Sequence, residues 1–146
     1  MNTNTLALWA SRVLSVLRIV AGLIFMLHGT QKLIGFPPHP NPASITTLSW
    51  AAGLIEIVGR PLLLLGLFTR PVAFLLAGEM AFAYFIGHAP RNLFPTLNGG
   101  DAAILYCFIF LYLVFAGPGL WSLDALMGRE SGDTSARRGF LAGLRR

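Results

Sequence analysis

Eight side chains could do chemistry in this otherwise oily sequence: Arg18, His28, Lys32, Glu56, Arg60, Glu79, His88 and Asp101. Glu56 and Arg60 are four residues apart, so on a helix they stand one turn above each other on one face. An acid and a base placed that way can neutralise each other or pass a proton. Glu79 offers a second carboxylate on the next apolar segment. Two acids beside an arginine suit proton handling, or an ion pair that fixes helix register. His28 and His88 could bracket a metal or a haem, but no H-x-x-x-H spacing supports that, and no metal is expected. They could instead hydrogen-bond a quinone head group, or simply be wetted at a membrane surface. Asp101 reads either as a helix cap or as a functional acid. The single cysteine, Cys107, forms no internal disulfide, no CxxC pair and no thiolate zinc site.

These residues need elements to carry them, and the composition says which. The chain has 146 residues, 55% hydrophobic and only 12% charged. A soluble domain carries roughly 25% charge, so the apolar excess points to lipid. Residues 48–68, LSWAAGLIEIVGRPLLLLGLF, are apolar apart from Ser49, Glu56 and Arg60. About 20 such residues cross a hydrocarbon core of roughly 30 Å as a helix. A lone charge at that depth costs about 2.5–3.5 kcal/mol or more. At about 100° per residue, Ser49, Ala52, Gly53, Glu56, Gly59 and Arg60 share one side of the helix. Leu54, Val58, Leu62 and Leu65 fill the other. The small and polar seam therefore faces other helices, and the leucines face lipid.

The same pattern recurs earlier. Arg18, Ala21, Gly22, Phe25, His28, Gly29 and Lys32 fall on one side of a first span, opposite Leu23, Ile24 and Leu27. Arg18 interrupts what could be a signal-peptide core, and no small-x-small site follows Leu27, so a retained helix is expected. Four prolines in residues 35–44 make a loop. The short Thr69-Arg70 link makes spans two and three a hairpin. Ala73, Ala77 and Ala81 give span three a track of small residues for close packing, with Glu79 off it. The expected architecture is all-α: a membrane four-helix bundle with a short interfacial C-terminal helix. Its spans are about 13–33, 46–68, 71–87 and 101–116 within a domain of residues 1–127. Leu120 to Met127 is too short to span and should lie at the interface around Trp121. Residues 128–146 form a basic tail that is expected to be mobile.

The formal charge of +5 owes much to Arg137, Arg138, Arg145 and Arg146 in that tail. No basic-aromatic interleaving accompanies it, so no nucleic-acid partner is expected. Arg12, Arg70, Arg129 and the four tail arginines fall on one side of the bilayer, against Lys32 and Arg91 on the other. That imbalance predicts both termini in the cytoplasm, in a bacterial inner membrane. The carboxylates of Glu56 and Glu79 should meet near mid-bilayer. Arg18 and Arg60 should lie at a comparable level below them. His28, Lys32, His88 and Asp101 should form a rim above. Tyr84, Tyr106 and Tyr112, with Phe82, Phe85 and Phe108, read as lipid contacts or packing.

Taken in order, His28-Gly29-Thr30-Gln31-Lys32-Leu33, Glu56-Ile57-Val58-Gly59-Arg60-Pro61-Leu62, Asn98-Gly99-Gly100-Asp101, Gly117-Pro118-Gly119 and Ser122-Leu123-Asp124 form a pattern. It resembles the DoxX/DoxD family of small four-helix membrane proteins, over about Arg18 to Asp124. Arg60 departs from the resemblance, because a second glycine often follows the position of Gly59 in that family. The resemblance implies a link to thiosulfate oxidation with quinone as acceptor, or to thiol-stress complexes. It matches Glu56, Glu79, His88 and Asp101 as polar positions rather than as a catalytic set. The expected role is an accessory subunit of a membrane redox system, quinone-linked or sulfur/thiol-linked, catalytic or not. A small-solute or proton-coupled transporter and a structural scaffold remain the alternatives. The implied partners are the lipid bilayer, a membrane or redox protein and a second copy of the chain. No cofactor is evident from these residues, and quinone is the one the resemblance leaves open.

Overall fold

The computed structural model describes residues 2–36, 38 and 47–128, and within them leaves aside the side chains of 29, 31–34 and 47–55. The side chains of Ser49, Ala52 and Lys32 therefore lie outside the description, as do residues 37 and 39–44 of the proline-rich loop and the tail from residue 129. Every regular element among the described residues is helical.

Helix α1 runs Thr3–Ile34, α2 Thr47–Leu65 and α3 Thr69–Phe82. The last continues without a break into a π-helical segment, Ala83–His88. A one-turn helix α4, Pro95–Asn98, precedes α5, Asp101–Ala116, and a one-turn helix α6, Leu123–Leu126, follows it. Thr3–His28 and Thr69–His88 are each long and apolar enough to cross a bilayer. The molecule is an all-helical membrane bundle.

Helix α1 starts ten residues before the expected span. At about 1.5 Å per residue its 32 residues extend about 48 Å, well beyond the roughly 30 Å core. Leu6, Leu8 and Trp9 on that extension are exposed. The helix stops at Gly35, whose φ of 68° lies in the left-handed region that favours glycine.

Helices α3 and α5 form the broadest pair, followed by α1 with α2 and then α2 with α3. Small residues explain the close pairs. A Cβ on Gly22 of α1 would lie 3.6 Å from the Leu64 backbone of α2, and one on Gly59 of α2 would lie 3.4 Å from Leu76 of α3. Ala73 and Ala77 of α3 are buried, as the small-residue track predicts. The fourth side of the bundle differs. Helices α1 and α5 scarcely meet through their backbones among the described residues. Three rings span the gap: Phe25 of α1 lies 5.4 Å from Tyr106 and 5.1 Å from Phe110 of α5, centroid to centroid.

The core is a single cluster around Phe25, Leu63, Leu76, Phe110 and Leu113. Leucines and phenylalanines on the outer faces, such as Phe74, Phe82, Phe85, Phe108 and Phe115, are exposed, as a lipid-facing surface requires.

Candidate functional site

Three polar groups are built into the bundle. Glu56 and Arg60 of α2 form the middle one. They are 0% and 2% exposed, and Arg60 Nη2 lies 2.5 Å from Glu56 Oε2. The i,i+4 spacing produces this pair directly. Glu79 of α3 is near enough to act electrostatically on Arg60, and both its carboxylate oxygens are buried. The Arg60 guanidinium carbon sits 4.3 Å over the ring of Phe25. A cation stacked on an aromatic face gains about 0.5–2 kcal/mol. Arg60 Nε is buried and has no hydrogen-bond partner among the described residues. Arg60 thus has Glu56, Glu79 and the ring of Phe25 around it.

Arg18 is not part of that group. It reaches the C-terminal end of α2, about one turn beyond Arg60, because α1 and α2 run antiparallel and Gly22 faces Leu64. Arg18 is 0% exposed, and its partners are backbone carbonyls. Nε donates to Pro118 O at 2.9 Å, Nη1 to Leu63 O and Leu64 O at 2.6 and 2.5 Å, and Nη2 to Trp121 O at 2.5 Å. Two of these acceptors belong to the last turn of α2, where the i+4 donors run out and Leu63 O keeps only a short bond from Gly66 N.

The residues around Arg18 complete a knot. Ser15 Oγ accepts from Trp121 N at 3.0 Å. Asp124 accepts from Phe68 N at 3.0 Å and Thr69 N at 2.8 Å, and so closes the start of α3. Phe68 holds a φ of 50°, a left-handed value that a non-glycine residue adopts at a cost. The two bonds to Asp124 hold that turn. Ser122 Oγ accepts from Ala125 N, as a helix cap does. The C-terminal helix therefore tucks Asp124 inward, at 6% exposure, and leaves Trp121 half-exposed. Arg70 adds a further tie by donating through Nη1 to Val114 O and Phe115 O at the end of α5.

The third group lies at the opposite end. The π-helical segment delivers His88, whose Nδ1 is 3.0 Å from Asn98 O. A carbonyl only accepts, so the ring donates through Nδ1 and leaves Nε2 as the acceptor of the neutral form. Asn98 Nδ2 donates to Asn92 O, and Asn98 Oδ1 accepts from Gly100 N. A Cβ on Gly100 would stand 2.7 Å from Tyr84 and 2.8 Å from His88, so only glycine fits there. Of the other rim candidates, His28 and Asp101 do not join His88. His28 is exposed and turns Nδ1 back to Ile24 O of its own helix. Asp101 is exposed in the first turn of α5, where an acid favours the helix dipole.

Ser15, Asn98 and Asp124 went unmarked as site residues in the sequence. Asp124 had one legible signal: the tripeptide Ser122-Leu123-Asp124 opens a helix. Nothing local marks Ser15, whose partner lies 106 positions away. Among the described residues no group of three or more His, Cys, Asp or Glu side chains could hold a metal ion.

The profile of the DoxX family matches residues 13–89, more than half of the chain. A protein of Haemophilus influenzae with no assigned function is 46% identical over 127 residues, covering 83% of this chain and 95% of its own length. An uncharacterized membrane protein of Mycobacterium tuberculosis is 30% identical over 149 aligned positions, covering 83% of this chain and 85% of its own. The inner membrane protein YphA of Escherichia coli is 29% identical over 128, covering 77% and 88%. No solved structure matches the chain.

Proposed function

The chain belongs to the DoxX family, and from that premise we propose that it is an accessory subunit of a redox system in the bacterial inner membrane, linked to quinone or to sulfur and thiol chemistry. The observation that supports this reading is the middle group. Glu56 and Arg60 are buried as a pair on α2, and Glu79 of the adjacent α3 holds buried carboxylate oxygens within electrostatic reach of Arg60. Intramembrane ionisable residues are working residues by default. Glu56 and Glu79 would pass a proton to or from a bound quinone, and Arg60 would hold them in place. The inner-membrane setting follows the name of the Escherichia coli relative. Both termini would face the cytoplasm, which reporter fusions at each end can test.

The experiment is direct. Membranes carrying the protein are assayed for thiol- or thiosulfate-driven quinone reduction against a deletion strain, and the purified protein is extracted for co-purified quinone. Glu79→Gln should cut turnover by about a hundredfold, the usual contribution of a placed acid or base. Normal turnover in that variant would reject the proton role.

One observation favours a second reading, in which the protein is a scaffold. The knot around Arg18 already uses a buried charge only to tie helices together, and the Glu56–Arg60 pair could do the same. Under that reading Glu56→Gln leaves turnover intact and changes stability alone.

A further inference from the structure

We propose that the seam between α1 and α5 is a lateral entrance from the bilayer to Arg60, and that it admits an uncharged, lipid-soluble molecule whose carbonyl oxygen accepts a hydrogen bond from Nε. The inference rests on the middle group being a working site, and it adds the route and the ligand's chemical class.

Three observations converge on it. The first is the gap. Glycine or alanine lets the close helix pairs approach, whereas Phe25, Tyr106 and Phe110 hold α1 and α5 apart and fill the space with rings. Rings that meet at 5.1–5.7 Å without interlocking backbones can turn aside by side-chain rotation. Tyr106 is the outermost of the three, being partly exposed, while Phe25 and Phe110 are buried. The second is what lies behind the rings. Arg60 stacks directly on Phe25, so moving that ring uncovers the guanidinium. The third is the donor. Arg60 Nε is buried with no acceptor among the described residues, and an unmet donor in an apolar interior costs about 1–3 kcal/mol. A ligand oxygen would satisfy it.

Charge selects the ligand. Glu56 and Glu79 both act on Arg60, so the site is already rich in negative charge. A carboxylate head would be repelled, and a neutral carbonyl would not. The route from lipid selects for an apolar body, and the ring-lined seam suits a flat one.

The test uses the full chain in lipid nanodiscs with a photoreactive azido-decylubiquinone, and maps adducts by mass spectrometry. Adducts are expected on Phe25, Tyr106 or Cys107. Arg60→Lys keeps the cation but removes Nε–H, and should lower the labelling by about tenfold or more. Phe25→Ala should raise the initial labelling rate severalfold, and Tyr106→Trp should lower it. Oleate should compete poorly against unmodified decylubiquinone. Melting curves run alongside show which variants fold; if Arg60→Lys does not, the Phe25 and Tyr106 rates decide. Adducts confined to the His88 end, labelling rates indifferent to Phe25 and Tyr106, or preferential competition by oleate would each overturn the proposal. Seam labelling without redox turnover keeps the entrance and removes the redox role. Turnover without seam labelling removes the entrance alone.

Discussion

Arg18 and Arg60 are both withdrawn almost wholly from the surface of one bundle, and they are held in opposite ways. Arg18 spends its N–H groups on four main-chain carbonyls from two distant stretches of chain. Arg60 faces side chains: a carboxylate one turn away, a second across the helix pair, and a ring. Main-chain acceptors cannot be mutated away or moved without moving the fold, so the first arrangement is rigid. Side-chain partners can rotate, change protonation and be replaced. A guanidinium meant to brace is best tied to backbone, and one meant to meet a ligand is best left among side chains.

The sharpest way to break this contrast is Arg18→Ala. It removes a donor from four carbonyls, of which Leu63 O keeps Gly66 N, and should lower stability by about 3–5 kcal/mol, read as a fall in melting temperature in detergent. Arg18→Lys should recover only part of that, because one ammonium cannot copy a planar fork. Next comes the middle pair. Glu56→Gln and Arg60→Gln should each cost about 3 kcal/mol, because each strands a buried charge. The double variant should recover part of the loss. Losses that simply add would show that the pair is not coupled, and the contrast with Arg18 would fall. Gly66→Ala should cost about 2 kcal/mol. Its φ is 68°, and an added Cβ would lie 2.5 Å from Ser122 Cβ and 2.9 Å from Arg18 Cζ. The smallest change is Asp124→Ala, at about 1–2 kcal/mol for a lost helix cap. Proteolysis at the α2–α3 turn should reveal it as faster cleavage near Phe68.

The sequence carried some of these features and not others. The Glu56–Arg60 pair is legible because it is local: four residues on one helix settle it. The helical class is legible because oil at helical length has few other uses. The level of Arg18 was legible only roughly: it reaches the carbonyls of Leu63 and Leu64, about one turn beyond Arg60. The knot was illegible because its acceptors are carbonyls, which every residue carries, so no residue type announces them. The gap between α1 and α5 was also hidden. It depends on which faces of two helices far apart in sequence meet, and an apolar face looks alike whether it meets lipid or protein. His88 was marked, but its partner Asn98 contributes a main-chain oxygen and escaped notice for the same reason.

The wiring of Arg18 also sets a clock on biogenesis. Its last acceptor is made 103 positions after it. At about 5–20 residues per second, a ribosome needs roughly 5–20 seconds to cover that stretch. For that interval a charged side chain has entered the insertion machinery without its final anchors. Nascent chains that stall before Pro118 should be recognised and destroyed, whereas those that pass Trp121 should survive.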